Sequence, residues 1–305
     1  MTVSELNVVT GAFGFTGKYI ARRLLSMGKR VKTLIAHPNR PNPFGDQVSV
    51  APFNFDKPVE LEKSLRGAAT LYNTYWVRFA YGEVTHNKAV ENTRVLIAAA
   101  ERAGVQRIVH ISITNASENS TLPYFRGKGF LETAVRQSRL SYAIIRPTLI
   151  FGPEDILINN IAWFLRRCPI FAVPGDGNYR LQPVFVEDVA EIAVNGAVQG
   201  DSLIIDAVGP DILTFDELIR LIAGKIQSRA KIVHLKPGLA LMISRLLGVV
   251  LRDVVLTRDE VEGLMANLLV SEGAPTGQTR LTEWLEQNRL HVGTKYASEL
   301  DRHYR

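Results

Sequence analysis

The chain holds one cysteine, Cys168, in 305 residues, so no internal disulfide can form and nothing in its cysteine usage points to an oxidising compartment. It also lacks a long apolar run. The longest, Leu239 to Leu251, is interrupted by Ser244, Arg245 and Gly248, which makes it too short and too polar to cross a bilayer, and no transmembrane segment is expected. The start, Met1 to Leu6, is short and polar rather than basic-then-apolar, and the expected location is the cytoplasm. Lys and Arg outnumber Asp and Glu by 36 to 30, but they are scattered and no basic run is interleaved with aromatics, so no nucleic-acid partner is expected. The excess leaves only a mild bias toward anionic ligands. His37, His86 and His110 lie too far apart for metal-ligand spacing, so no metal site is expected, and His110 reads as a hydrogen-bonded interior residue. There is no internal repeat, low-complexity tract or flexible linker.

What is present is apolar material in a regular order. With 46% hydrophobic and 22% charged residues the chain can bury a large core. Strand patterns at Asn7 to Thr10, Val31 to Ala36, Val48 to Phe55, Ala69 to Thr74, Arg107 to Ile113 and Tyr142 to Ile150 alternate with helical patterns. The helices are expected at Lys18 to Met27, Val59 to Arg66, Lys88 to Ala103 and Gly127 to Ser138. Repeated βαβ order implies an α/β fold with a doubly wound parallel sheet of Rossmann type. After Pro169, Pro174, Gly175 and Gly177 the pattern breaks, then returns at Val184, with Asp188 expected to cap a helix over Val189 to Ala197 and Leu203 to Asp206 as a further strand. Thr214 and Glu217 have capping-box spacing, and the remainder reads as mostly helical. The expected organisation is a nucleotide-binding domain over 1–155, with a return segment at about 183–208. Residues 156–182 and 209–305 form a smaller, mostly helical C-terminal lobe.

The first chemical signal joins the first strand to the first helix. Thr10-Gly11-Ala12-Phe13-Gly14-Phe15-Thr16-Gly17 spaces its glycines GxxGxxG. Gly11 suits a tight turn, Gly14 lets main chain approach a pyrophosphate, and Gly17 lets the helix pack close on the strand. The free amides and positive end of the helix then face phosphates, which makes the turn a dinucleotide site. The second signal is Tyr124 and Lys128, four apart on an expected helix and hence on one face. A nearby cation favours phenolate, so such a Tyr can exchange a proton with a substrate hydroxyl or carbonyl while hydride moves to or from nicotinamide.

On these residues the chain resembles the short-chain dehydrogenase/reductase superfamily, specifically its extended and atypical members, over at least Val3 to Pro210. The resemblance implies Tyr124 as acid/base, Lys128 as the holder of the nicotinamide ribose, and Ser112 or Thr114 as the hydroxyl that polarises the substrate oxygen. Extended members show paired serines where this chain has Ser112-Ile113-Thr114. Arg146-Pro147-Thr148 is similar to the strand end that meets the nicotinamide, and Gly175-Asp176-Gly177 with Gln182 to Asp188 is similar to sugar-nucleotide epimerases and dehydratases. Leu71-Tyr72-Asn73-Thr74-Tyr75-Trp76-Val77-Arg78-Phe79, Asn159-Asn160-Ile161-Ala162-Trp163 and Tyr296-Ala297-Ser298-Glu299-Leu300 are similar to an epimerase-like bacterial subgroup. That subgroup is related to the NADPH-binding accessory subunit of respiratory complex I.

Cofactor preference is read at the end of the second strand, where Leu34-Ile35-Ala36-His37-Pro38-Asn39-Arg40 has no acid to hold an adenosine ribose. Arg40 can fork onto a 2′-phosphate, helped by His37 and Lys18, or be a solvated loop charge; NADP(H) is expected over NAD(H). Asp56 after Phe55 stands where an adenine contact is common, or caps the turn before Pro58. Tyr75, Trp76 and Phe79 line a substrate cleft or simply pack. The expected nucleotide contacts are thus Thr10, Gly11, Phe13 to Gly17, His37, Arg40, Phe55, Asp56, Asn73, Thr74, Lys128, Arg146 and Pro147. The expected function is an NADP(H)-dependent oxidoreductase on a small carbonyl or alcohol whose identity no motif encodes, with epimerase or dehydratase chemistry as a variant. The alternative is a non-catalytic NADP(H)-binding sensor or a subunit of a larger assembly.

Overall fold

The computed structural model describes residues 5–36 and 42–304. The elements run β1 (Leu6–Thr10), α1 (Phe15–Ser26), β2 (Arg30–Ile35), β3 (Val48–Pro52), α2 (Pro58–Leu65), β4 (Ala68–Asn73), α3 (His86–Ala103), β5 (Arg107–Ile111), α4 (Pro123–Gln137) and β6 (Ser141–Pro147). Next come β7 (Leu149–Phe151), α5 (Leu157–Arg167), β8 (Ile170–Pro174), β9 (Arg180–Leu181), β10 (Pro183–Phe185), α6 (Val186–Val198) and β11 (Leu203–Ala207). Last are β12 (Leu213–Thr214), α7 (Phe215–Lys225), β13 (Lys231–Leu235), α8 (Pro237–Leu251), α9 (Arg258–Met265), α10 (Leu281–Asn288) and α11 (Glu299–His303). They form two compact units, Met1–Pro147 with Val186–Ala207 and Thr148–Phe185 with Val208–Arg305.

The first unit is a seven-stranded sheet in the order β11-β6-β5-β4-β1-β2-β3, and every pairing in it is parallel. A parallel sheet is covered on both faces, which is why neighbouring residues such as Val8 and Val9, Ile108 and Val109, and Ile144 and Ile145 are all fully buried rather than alternating in and out. Helices α2, α3 and α4 pack in sequence against one another, with Leu61, Leu65, Leu96, Ile97 and Val135 meeting Val8, Leu34, Leu71, Ile108 and Ile144 of the sheet. Helices α1 and α6 pack together and complete the doubly wound arrangement. Thr85 caps α3 by accepting from the Lys88 N–H, and Gly104 ends it at a left-handed φ of 79°.

Buried Arg107 ties the returning segment to this sheet. Its Nε and Nη2 donate to the Gly196 carbonyl at 3.1 and 2.8 Å, and Nη2 also reaches the Asp201 carbonyl at 2.9 Å. A guanidinium at the carboxyl end of α6 satisfies carbonyls that no helical N–H can reach.

The second unit has three small strand pairs: β7 with β10 and β8 with β13, both parallel, and β9 with β12, antiparallel. Its core gathers Phe151, Ile161, Leu165, Leu218, Ile222 and Trp284 from β7, α5, α7 and α10. The capping box at Thr214 and Glu217 is present with both hydrogen bonds. Two readings need correction. The strand expected through Ile150 ends at Pro147, and residues 149–151 pair instead with β10. Helix α6 starts at Val186, directly after β10, so Asp188 lies inside the first turn, where its charge favours the helix dipole but does not cap it. The stretch after Thr214 is mostly helical, α7 to α11, with β13 among the helices pairing with β8.

Replacing Arg107 with Met keeps the apolar stem and leaves three buried or half-buried carbonyl contacts unmade, so Arg107→Met should lower unfolding free energy by about 2–4 kcal/mol in denaturant titration.

Candidate active site

The strand order reverses between β1 and β4, and in sheets of this kind ligands bind beyond the carboxyl ends of the strands at such a reversal. Gly11 turns the chain at a left-handed φ of 67°. The Gly14 N–H donates to the Gly11 carbonyl at 2.8 Å, and the Gly11 N–H donates to Leu34 at 2.8 Å. A Cβ on Gly17 would lie 2.4 Å from the Gly11 carbonyl oxygen, a backbone clash, and one on Gly14 would lie 3.2 Å from the same oxygen. Helix α1 has no side-chain cap and no acid in its first turn. An uncapped, positively polarised helix end behind a glycine cradle fits a dinucleotide pyrophosphate.

A buried network joins the ends of β1, β4 and β5. Thr10 Oγ1 accepts from the backbone N–H of Thr74 at 2.7 Å and of Tyr75 at 3.0 Å, and donates to Asn73 Oδ1 at 3.2 Å. Asn73 Oδ1 also accepts from the Tyr75 N–H at 3.1 Å, which leaves the amide nitrogen facing His110 Nδ1 at 3.0 Å. An amide nitrogen only donates, so His110 Nδ1 accepts and the neutral ring carries its proton on Nε2. Burial holds the His110 pKa well below its ordinary value, and the Lys128 charge adds to that. The interior, hydrogen-bonded role expected for His110 is what the structure shows.

Tyr124 and Lys128 sit one turn apart on α4. Lys128 is 3% exposed, its Nζ donates to the Ile111 carbonyl at 2.7 Å, and it lies 4.8 Å from the centre of the Trp76 ring. Trp76 meets Tyr124 edge-on at 5.7 Å and stacks on His86 at 5.6 Å. Gly127 makes this approach possible, since a Cβ there would fall 2.6 Å from the Trp76 ring. Burial draws the Lys128 pKa from near 10.5 down to about 7, with Glu132 pulling the other way. Trp76 Nε1 and His110 Nε2 are buried donors with no hydrogen-bond partner among the described residues, an unmet demand that a bound polar group would fill.

The two candidate hydroxyls are placed differently. Ser112 Oγ donates to Glu132 Oε1 at 2.5 Å, and the same carboxylate is gripped by Arg146, whose Nε reaches Oε1 at 2.9 Å and whose Nη2 reaches Oε2. Thr114 is 1% exposed, and its N–H donates to the Pro147 carbonyl at 3.0 Å, extending the pairing of the β5 and β6 ends. Arg146 thus spends its guanidinium on Glu132. Sequence reading passed over Glu132 although Tyr124, Lys128 and Glu132 repeat at four-residue spacing along one helix face.

Phe13 lies near Phe44, with ring centres 6.4 Å apart, and Phe15 meets Tyr19 edge-on at 6.0 Å. Thr16 lies half-buried in the first turn of α1. Phe55 stacks on Phe53 at 4.8 Å, and both rings stand 5.0 Å from Tyr75, whose hydroxyl accepts from Asn92 at 2.9 Å. Tyr75 is therefore a packing residue. Asp56 is exposed in the turn before α2, which starts at Pro58 with no side-chain cap on the helix. His37 and Arg40 lie outside the described residues. No group of three His, Cys, Asp or Glu among the described residues is placed to hold a metal ion.

A raised or lowered pKa is a stability term, and for Lys128 the sign is definite. Between about pH 7 and 10.5 the unfolded chain holds a proton that the folded chain has released, so stability rises with pH across that window. Thermal unfolding of Lys128→Met, measured from pH 6 to 9, should show a flatter rise than wild type, with the variant's relative advantage greatest at low pH.

Residues 11–155 match the family described as NAD(P)H-binding. Over 290 residues the chain is 26% identical to the mitochondrial NADH dehydrogenase (ubiquinone) 1 alpha subcomplex subunit 9 of Arabidopsis thaliana, covering 87% of this chain and 71% of that protein. It is 28% identical over 183 residues to a ceramide reductase of Caulobacter vibrioides, covering 60% of this chain and 57% of the other. The triphenylmethane reductase of Citrobacter sp., solved with NADP(H), shares the fold at a TM-score of 0.74 and 17% identity, over 93% of this chain and 99% of that one. Residues 11–155 are thus similar to NAD(P)H-binding domains, the chain shares the fold of the Citrobacter reductase, and over most of its length it is similar to the complex I subunit.

Proposed function

We propose that the protein is an NADP(H)-dependent oxidoreductase of the short-chain dehydrogenase/reductase type that interconverts a small carbonyl and its alcohol. The observation that carries this reading is the buried pairing on α4: Lys128, held by the Ile111 carbonyl and the Trp76 face, one turn from Tyr124. The bound nicotinamide supplies or takes the hydride. Tyr124 gives its hydroxyl proton to the carbonyl oxygen in reduction and recovers it in oxidation, while the Lys128 ammonium stabilises the phenolate left behind. Ser112, which donates to Glu132, or Thr114 two residues on supplies the hydroxyl that meets the substrate oxygen. The Gly11 to Gly17 turn holds the pyrophosphate, with Thr10, Asn73 and Thr74 bracing it, and Phe55 and Asp56 border the adenosine end. Arg146 acts through Glu132, and Pro147 closes the strand beside Thr114. Epimerase or dehydratase chemistry would use the same groups. We place the protein in the cytoplasm.

A second reading, a non-catalytic NADP(H)-binding subunit, is favoured by the similarity over 87% of this chain to a complex I subunit. The discriminating experiment is NADPH oxidation across aldehydes, ketones including long-chain ones, quinones and nucleotide sugars. Tyr124→Phe should lower turnover by about a hundredfold or more while leaving NADPH affinity nearly unchanged. A wild type that binds NADPH and turns over nothing supports the subunit reading instead.

The preference for NADP(H) rests on Arg40 and the absence of an acid after β2. NADPH should bind about tenfold to a hundredfold more tightly than NADH by nicotinamide fluorescence titration, and Arg40→Ala should erase most of that difference.

A further inference from the structure

Helix α8 is built inside out. Its inward face, within the second unit, carries the small residues Ala240, Ser244 and Gly248, all buried, four residues apart. Segment 253–256 packs across that face: the Asp253 N–H donates to the Gly248 carbonyl at 2.9 Å, Ser244 Oγ donates to the Leu256 carbonyl at 3.4 Å, and a Cβ on Gly248 would lie 2.6 Å from the Asp253 carbonyl oxygen. The large apolar residues face outward, with Leu239 42%, Met242 52%, Leu246 63%, Val249 78% and Val250 79% exposed. Positions 239, 242, 246 and 249 repeat at three- and four-residue spacing, so they form one continuous stripe along the helix. A groove of about 470 Å³ runs beside it, lined among others by Leu241, Val261, Met265 and Arg245, and by Arg258 and Glu262, which pair with each other at 2.6 Å and leave Arg245 as its uncompensated cation among the described residues. A water-facing surface of this kind marks an interaction site.

Charge identifies the occupant. Residues 236–252 contain Lys236, Arg245 and Arg252 and no Asp or Glu. The next acid, Asp253, is buried and committed to the Tyr296 hydroxyl at 2.8 Å and to the backbone N–H groups of Glu299 and Leu300 at 3.0 Å. A second copy meeting this one about a two-fold axis would set these cations against their own equivalents. The stripe is wholly aliphatic and thioether, without the Trp and Tyr that anchor protein interfaces. At 15 residues α8 is about 22 Å long, short of the roughly 30 Å apolar thickness of a bilayer, so it can lie in a membrane plane but not span one.

We propose that α8 docks the protein on an anionic lipid bilayer. Leu239, Met242, Leu246, Val249 and Val250 enter the boundary between headgroups and acyl chains, while Lys236, Arg245 and Arg252 meet phosphates. The assignment is independent of the chemistry at Tyr124.

Co-sedimentation of the full chain with vesicles tests it, using phosphatidylcholine alone and phosphatidylcholine mixed with phosphatidylglycerol. The wild type should bind the mixed vesicles and lose affinity as salt rises. Leu246→Glu combined with Val249→Glu should reduce partitioning by about tenfold or more, and Lys236→Gln with Arg245→Gln by about tenfold on anionic vesicles only. These positions face solvent, so circular dichroism should show both variants folded. In Leu246→Trp, added mixed vesicles should shift indole emission to the blue. Absence of wild-type binding to anionic vesicles, or undiminished binding by the double glutamate variant, overturns the proposal. A concentration-dependent dimer that Leu246→Glu splits, seen by analytical ultracentrifugation, overturns it in favour of a second copy.

Discussion

Burying the Lys128 ammonium is costly, because an amine removed from water loses hydration that few protein groups can replace. Its surroundings meet that cost in parts. The Ile111 carbonyl accepts from Nζ, the Trp76 ring presents its electron-rich face, and Glu132 lies one turn along the same helix. Each depends on something else. Trp76 comes close only because residue 127 has no side chain, and Glu132 is held in the interior by Arg146 and Ser112, which occupy its oxygens. What remains is an amine poised near neutrality beside a tyrosine, the condition in which a proton can be passed at ordinary pH.

The same end of the sheet carries a second buried polar system. Thr10, Asn73 and His110 come from three adjacent strands whose order reverses between β1 and β4, so a glycine turn, a crossing hydrogen-bond network and the start of the α4 site are brought to one rim. Parallel strands with short carboxyl-end connections make this geometry recurrent, which is why sequences of low identity reach it. Identity of 17% with a reductase that has the same fold therefore speaks for architecture alone.

The sheet itself was legible from runs of buried β-branched residues, and the glycine turn from its spacing, because both depend on local backbone rules. The surroundings of the two hydroxyls were not. Ser112 and Thr114 are equivalent in sequence, and only the fold brings Glu132 of α4 to accept from the Ser112 hydroxyl. Tyr75 and Trp76 are neighbours of similar character. One packs on Phe53 and Phe55 while the other covers Lys128, a division made by residues far apart in the chain. The apolar run in α8 was read correctly as too short to cross a membrane, but not as a helix with its large residues outward, since the side that packs depends on segment 253–256.

By itself the sequence determined the alternation of strands and helices, the nucleotide turn and the one-face pairing of Tyr124 with Lys128. These follow from periodicity and glycine geometry over a few residues. Tertiary structure decided which polar groups are satisfied by whom: the neutral tautomer of His110, the commitment of Ser112 and Arg146 to Glu132, and the depressed basicity of Lys128. Burial and partner geometry are properties of the assembled chain. A side chain's chemistry is set by the water it loses and the partner it gains, and neither can be read from its neighbours in sequence.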